Sequence, residues 1–160
     1  MGKQLGLLLS VVTLLILSIS ACSVTDIGWS AYHRGNAVAA QKIWQPLAEQ
    51  GNPDAQEALG VLYGSGREHL SDYEKAVFWC GKAAAQGKPH SQYILGSLYR
   101  RGRGVPQDLV RAYMWYTVSG DQKHLLARVD RKRLVHEMTP GQIAEAERLA
   151  RVFKSINSND

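Results

Sequence analysis

The chain repeats itself with a period of 36 residues, and this repetition restricts its possible folds more than any other feature. Residues 50–79 match residues 86–115 at many positions. The matched pairs include Gly51 and Gly87, Pro53 and Pro89, Gln56 and Gln92, Gly60 and Gly96, Tyr63 and Tyr99, and Asp72 and Asp108. A fixed period in the mid-thirties is typical of stacked units that are each too small to bury an apolar face alone. We therefore expect a repeat fold.

Each copy of the repeat predicts two helices. Asn36, Asp72 and Asp108 are 36 residues apart, and each is a good N-cap because its side-chain oxygen can accept from a free backbone N–H. At the second of these starts, Ser71 with Glu74 offers a competing capping box, one residue earlier. Pro53 and Pro89 suit the first position of the other helix, where no hydrogen-bond partner of the missing N–H is lost. The pattern predicts an all-α protein.

Glycines and tryptophans recur at fixed positions inside the predicted helices. Glycine in a helix interior costs roughly 1 kcal/mol relative to alanine. Because Gly60 and Gly96 share one register, we expect them to allow a close approach of two helices. Trp44, Trp79 and Trp115 also fall at repeat positions, Trp79 and Trp115 in the same register, which favours core packing over a ligand-stacking platform.

The residues of the second copy carry a family resemblance. Ser91-Q-Y-I-L-G-S-L-Y-R-R-G-R-G-V-P-Q-D-L-V-R-A-Y-M-W resembles the Sel1-like repeat, a relative of the tetratricopeptide repeat. The first copy keeps A-Q-E-A-L-G-V-L-Y but has Glu68-His69 where Gly104-Val105 stands in the second, so its inter-helix turn should be atypical. The resemblance implies a short right-handed α-solenoid of helix-turn-helix units.

The resemblance also divides the chain. It implies a solenoid over residues 30–119, with clear units at about 52–87 and 88–119. Residues 120–156 are expected to form C-terminal capping helices, since terminal repeats need a polar outer face. The first would run from Asp121 to Met138 and the second from a capping box at Thr139. The apolar positions of the first would be Leu125, Val129, Leu134 and Val135.

The N-terminus predicts export and lipid attachment. An apolar stretch from Leu5 to Ile19 has the length of a signal-peptide core and is too short for a bilayer span of about 20 residues. It ends in Ile19-Ser20-Ala21-Cys22, which resembles the lipobox of bacterial lipoproteins. The resemblance implies a signal peptide over 1–21 and acylation of Cys22. An ordinary secretory signal, cleaved near Ala21 with Cys22 unmodified, is the alternative.

The residue after the cysteine bears on the destination. Ser23 stands where an aspartate would resemble the inner-membrane retention signal. We therefore expect the outer membrane, with the domain facing the periplasm and residues 22–29 forming a tether. Anchoring by several acyl chains is stable because each buried CH₂ contributes about 0.8 kcal/mol.

Positive charge is concentrated in the second half of the chain and on one turn. Residues 88–160 hold thirteen Lys or Arg and seven Asp or Glu, so their net charge is +6. Arg100, Arg101 and Arg103 lie together, and we expect them to be solvent-facing and largely neutral for folding. They form either a solvated face or a dock for an anionic surface, such as lipid headgroups or an acidic partner. Nucleic acid fits this charge but not an exported protein.

The sequence contains no recognisable catalytic or metal-binding motif. None of the five histidines pairs with another at the i, i+4 spacing of a zinc motif. Cys80 is expected to be a buried small hydrophobe, with an intermolecular disulfide as the alternative. Some secreted Sel1-like proteins with paired cysteines have been linked to β-lactam binding or hydrolysis, but this chain lacks those pairs. We therefore predict no enzyme, no cofactor and no small-molecule substrate.

The sequence is compatible with three functions. The first is a non-enzymatic scaffold or adaptor that binds a protein partner and reaches the membrane through its lipid anchor. The second is an immunity lipoprotein that neutralises a periplasm-targeted toxin, a role known for some small Sel1-like proteins. The third, a remote alternative, is a cell-wall or β-lactam hydrolase, for which no residue can be nominated.

Overall fold

The computed structural model describes residues 24–66 and 72–157, and the regular structure of these residues is helical. Eight α-helices and one short 3₁₀ turn follow one another as helix-turn-helix pairs. They are α1 (residues 24–33), α2 (Ala37–Glu49), α3 (Pro53–Gly64), α4 (Tyr73–Ala85), α5 (Pro89–Arg101), α6 (Leu109–Asp121), α7 (Leu125–Leu134), the 3₁₀ turn (Val135–Glu137) and α8 (Pro140–Asn157). This confirms the prediction of an all-α solenoid.

The 36-residue period of the sequence is also the period of the helices. The second helix of each helix pair, which is α2, α4 or α6, is 13 residues long, and these three helices begin 36 residues apart. The first helices α3, α5 and α7 begin at Pro53, Pro89 and Leu125, with the same spacing. Each second helix packs on the first helices beside it, and α3 also contacts α5. Thus α7 is the first helix of a third unit.

The predicted N-caps are confirmed. Asn36 accepts a hydrogen bond from the Ala39 N–H at 3.0 Å, and Asp72 and Asp108 cap α4 and α6 in the same way. Each cap satisfies one of the backbone N–H groups that a helix start leaves free. Because the cap is a local interaction, its position can be predicted from the sequence alone.

The recurring helical glycines lie where two helices come close together, as predicted. A Cβ on Gly60 would collide with Cys80, and a Cβ on Gly96 would lie 2.7 Å from the ring of Tyr116. Cys80 is fully buried, as the sequence predicted, and burial raises the pKa of its thiol to about 12. Its thiol is therefore protonated and inert at neutral pH.

A ladder of buried glutamines joins consecutive units, and this role was not predicted from the sequence. Gln56 donates to the Ala48 carbonyl at 3.0 Å and accepts from Gln86 at 2.8 Å. Thirty-six residues later, Gln92 repeats both contacts, donating to Ala84 at 3.1 Å and accepting from Gln122 at 2.8 Å. Both glutamines are almost fully buried, so each amide needs these partners.

The predicted tether is wrong for residues 24–29, which belong to α1. The indole N–H of Trp44 donates to the Thr25 carbonyl at 3.1 Å, and the rings of Trp29 and Trp44 lie 4.9 Å apart. This aromatic packing holds the segment against α2. The predicted signal peptide, Cys22 and the atypical turn at Glu68-His69 lie outside the described residues. No helix within 24–66 or 72–157 is long and apolar enough to span a membrane.

The C-terminal helices differ partly from expectation. The capping box at Thr139 is confirmed, because Thr139 and Gln142 exchange hydrogen bonds at 2.9 and 3.3 Å. The preceding helix, however, begins at Leu125, because Asp121 is the last residue of α6. Its buried residues are Ala127 and Leu134, whereas three of the four predicted apolar positions are exposed: Leu125, Val129 and Val135. The buried face of α7 is therefore narrower than predicted. It consists of Ala127 and Leu134, and the small Ala127 side chain allows α7 to pack closely.

Candidate interaction site

The three predicted arginines have three different environments. Arg100 forms an ion pair with Glu137 of the 3₁₀ turn and is half-buried. The guanidinium of Arg103 lies 5.1 Å from the centre of the Tyr73 ring. Arg101 is exposed. The expectation that all three face solvent is therefore wrong for Arg100, whose ion-pair partner lies 37 residues further along the chain.

We predict that Arg100→Glu destabilises the fold, whereas Arg101→Glu does not. The first change removes the ion pair and places a second carboxylate beside Glu137, which should cost about 1 kcal/mol. The second alters an exposed side chain and should stay within about 0.5 kcal/mol. Urea unfolding of both variants measures the difference. Equal free energies of unfolding would show that the Arg100 ion pair contributes nothing.

Arg101 and Arg103 border a groove that we call the arginine–tyrosine groove. It encloses about 150 Å³ between the end of α3, the start of α4 and one side of α5. Besides the apolar Ile94 and Leu98, five polar or aromatic side chains line it: Tyr73, Tyr93, Ser97, Arg101 and Arg103. The groove therefore offers positive charge, hydroxyl groups and aromatic surface in one place.

The turn after α5 fixes the position of Arg103. Gly104 has φ 72° and lies so close to the Tyr73 backbone that a Cβ there would collide with it. A glycine is required at this position because it has no Cβ and adopts positive φ without strain. The turn of the second unit therefore packs over the start of α4, where the Arg103 guanidinium lies 3.3 Å from the Tyr73 hydroxyl.

Tyr93 connects the groove to the third unit. Its hydroxyl donates to the Asp130 carboxylate of α7 at 3.1 Å, and its ring stacks on His124 with a centroid distance of 4.8 Å. Burial, followed by the charge of Asp130, raises the pKa of the tyrosine hydroxyl. The hydroxyl therefore stays protonated and holds its position by hydrogen bonding and stacking.

The groove is suited to binding an acidic peptide segment. Guanidinium groups form strong charge-assisted hydrogen bonds with carboxylates, and tyrosines combine apolar surface with a polar group. The sequence identified Arg101 and Arg103 but not Tyr73 and Tyr93, which occupy different repeat positions. Within the described ranges, no group of three or more His, Cys, Asp or Glu side chains is arranged to hold a metal ion.

Comparisons with known proteins agree with this architecture. The model of the Sel1 repeat matches residues 53–88 and 89–124. The chain is similar to the crystal structure of a protective antigen present in uropathogenic Escherichia coli strains that displays an SLR fold. The TM-score is 0.75 at 26% identity, over 84% of this chain and 30% of that one. No curated protein matches the chain.

A second solved structure is similar over a comparable share of the chain. It is a Sel1 repeat protein from Oxalobacter formigenes, with a TM-score of 0.64 and 27% identity over 81% of this chain and 54% of that one. The chain thus spans less than two thirds of each of these two structures. Sel1-repeat proteins usually mediate protein–protein interactions, and the fold is generally non-catalytic. We conclude that the chain carries two Sel1 repeats, at residues 53–88 and 89–124, within an α-solenoid.

Proposed function

We propose that this protein is a lipoprotein anchored in the outer membrane with its domain facing the periplasm. We also propose that it scaffolds a complex by binding a protein partner. The arginine–tyrosine groove is the observation that carries the proposal. A solenoid exposes an extended surface by construction, and this groove concentrates two arginines and two tyrosines on it. The lipobox-like Ile19-Ser20-Ala21-Cys22 supports attachment to the membrane through Cys22.

The chemistry of the groove suggests which part of a partner it binds. The lining arginines are balanced by no carboxylate among the groove residues of the described chain. An acidic side chain or a C-terminal carboxylate would supply that balance, and an adjacent apolar residue could contact Ile94. The preferred partner is therefore a protein with an exposed acidic segment.

Charge reversal at Arg101 tests this proposal. We expect Arg101→Glu to weaken capture of the partner from envelope extracts at least tenfold, since charge-assisted hydrogen bonds contribute about 1.5–3 kcal/mol. Capture should also weaken as salt rises, because exposed charges are screened within about 8 Å at physiological ionic strength. Quantitative mass spectrometry of the captured proteins measures both effects.

The matched control is Arg151→Glu, which makes the same charge change at an exposed position of α8, outside the groove lining. It should capture the partner as well as the unmodified protein does. Equal capture by the Arg101 variant would contradict a role for the groove. The identity of the partner separates the two binding functions, because a toxin would favour immunity and an envelope component would favour a scaffold.

A further inference from the structure

Two histidines meet at the junction between the second and third units. The Nδ1 atom of His90 lies 3.4 Å from Nε2 of His124, and the stacked rings have a centroid distance of 5.6 Å. His90 is in the first turn of α5, and His124 is the N-cap of α7. They are 34 residues apart, so no local spacing rule identifies them as a pair.

The preceding junction, between the first and second units, carries a different pair at the same repeat positions. Asp54 and Lys88 lie 36 residues before His90 and His124, respectively, and they form an ion pair. A carboxylate and an ammonium group both keep their charges between pH 5 and 8. Histidine is the side chain that normally gains or loses its charge in this range. The second junction is therefore a titratable counterpart of the first.

The hydrogen bonds around the pair determine where its protons are. His124 caps α7 by accepting from the Ala127 N–H through Nδ1 at 3.3 Å. Since this nitrogen is an acceptor, the neutral ring must carry its proton on Nε2, which donates to Nδ1 of His90. His90 then carries its own proton on Nε2. In each ring, the nitrogen that could take another proton is already accepting a hydrogen bond.

The surroundings also disfavour a positive charge on His124. Burial, followed by the nearby His90, lowers the pKa of His124, and Glu57 opposes this effect. Lys88 and Lys123 line the same cavity of about 340 Å³. Other charged groups on the adjoining helices are already paired: Asp54 with Lys88, and Asp130 with Tyr93 and Arg133. The neutral pair is thus the form that fits the folded junction.

The histidine pair is in direct contact with the arginine–tyrosine groove. The Tyr93 ring that stacks on His124 also lines the groove beside Arg101. The hydrogen bond from Tyr93 to Asp130 attaches the same side chain to α7. A change in the packing of α7 against α5 would therefore displace Tyr93.

We propose that His90 and His124 form a pH-sensitive latch between α5 and α7 that regulates the arginine–tyrosine groove. The effect on partner binding rests on the proposed function, whereas the latch itself does not. A proton on His124 would turn the helix cap from an acceptor into a donor. A proton on His90 would place two N–H groups against each other, and two protonated rings would repel. Acid therefore opens the latch.

The direction of the pH effect follows from the lowered pKa of His124. A group whose pKa is lower in the folded protein stabilises the fold fully above its ordinary value, here 6.5. That stabilisation is lost as the pH falls through the lowered value. We therefore expect the α5–α7 junction to be closed at pH 7.5 and loosened at pH 5.0.

Hydrogen–deuterium exchange of the full-length protein in detergent tests the latch without any partner. After correction for intrinsic exchange, protection of the first turn of α7, which includes Ala127, should fall severalfold from pH 7.5 to pH 5.0. His124→Asn should abolish this fall, because asparagine does not titrate and Asn52 already caps α3 at the equivalent position. His136→Gln changes an exposed histidine outside the pair and should keep the response.

An equal pH response in the unmodified protein and in His124→Asn would overturn the proposal. If His124→Asn fails to fold, His90→Asp combined with His124→Lys installs the pair of the preceding junction and should remove the response instead. Binding of the captured partner at both pH values separates the two proposals. A pH-dependent exchange pattern without partner binding would refute the groove function and leave the latch. Partner binding without a pH-dependent exchange pattern would refute the latch alone.

Discussion

Replacing Gly96 with valine is expected to destabilise the protein by about 3 kcal/mol, which is near the upper end of the usual overpacking range. A Cβ at this position would lie 2.7 Å from the Tyr116 ring and 3.2 Å from the Ala112 carbonyl oxygen. Tyr116 is only 1% exposed, so its ring has no free space to move into. The helices α5 and α6 would have to separate. Thermal and urea unfolding measure the loss.

Gly81 provides the matched control for this prediction. It also lies inside a helix, α4, but a Cβ there would meet no atom within 4 Å. Gly81→Ala should therefore stabilise the protein by up to about 1 kcal/mol through helix propensity alone. If Gly96→Val and Gly81→Ala shifted the unfolding midpoint in the same direction, the close approach of α5 and α6 would not be the reason for the recurring glycine.

Replacing Cys22 with serine is expected to abolish lipid attachment. Several acyl chains, each contributing about 0.8 kcal/mol per buried CH₂, are needed for stable anchoring, and serine offers no thiol to receive them. Palmitate labelling in cells should be lost completely in this variant. Membrane fractionation should show whether the remaining protein is still processed.

Cys80→Ala is the matched cysteine control for the labelling experiment. Cys80 is fully buried and has a thiol pKa of about 12, so its removal should leave palmitate labelling unchanged. Label that persisted in the Cys22 variant would contradict the proposal of a lipoprotein anchored through Cys22. Absence of label from the unmodified protein, with cleavage near Ala21, would instead support an ordinary secretory signal.

The parts of the fold that could be predicted from the sequence depend on local interactions. The caps at Asn36, Asp72 and Asp108 involve residues three positions away, so their helices begin where the sequence indicates. The recurring glycines report the packing of one helix on its neighbour. Repetition strengthened each of these signals, because the same residue type stood at the same register twice.

The parts that were missed depend on how the units stack. Arg100 meets Glu137 and Tyr93 meets Asp130, both 37 residues further along the chain. No helical spacing predicts such contacts. Once the structure is known, however, a regular separation emerges, because Asp54–Lys88 and His90–His124 are both separated by 34 residues. The exposure of Leu125, Val129 and Val135 was not predicted for a related reason. Which residues of α7 are buried depends on which side of this helix packs against α6.

Site-specific cross-linking tests the central claim, partner binding in the arginine–tyrosine groove, most directly. Ser97→Cys places a thiol in the groove, and Lys42→Cys places one on an exposed position of α2 outside it. Buried Cys80 should not react, so a thiol-directed photo-cross-linker would be carried by the new cysteine. We predict that, in cell envelopes, the Ser97 position yields one discrete partner adduct and the Lys42 position does not. Equal adduct yields at both positions, or no adduct at Ser97, would contradict the account.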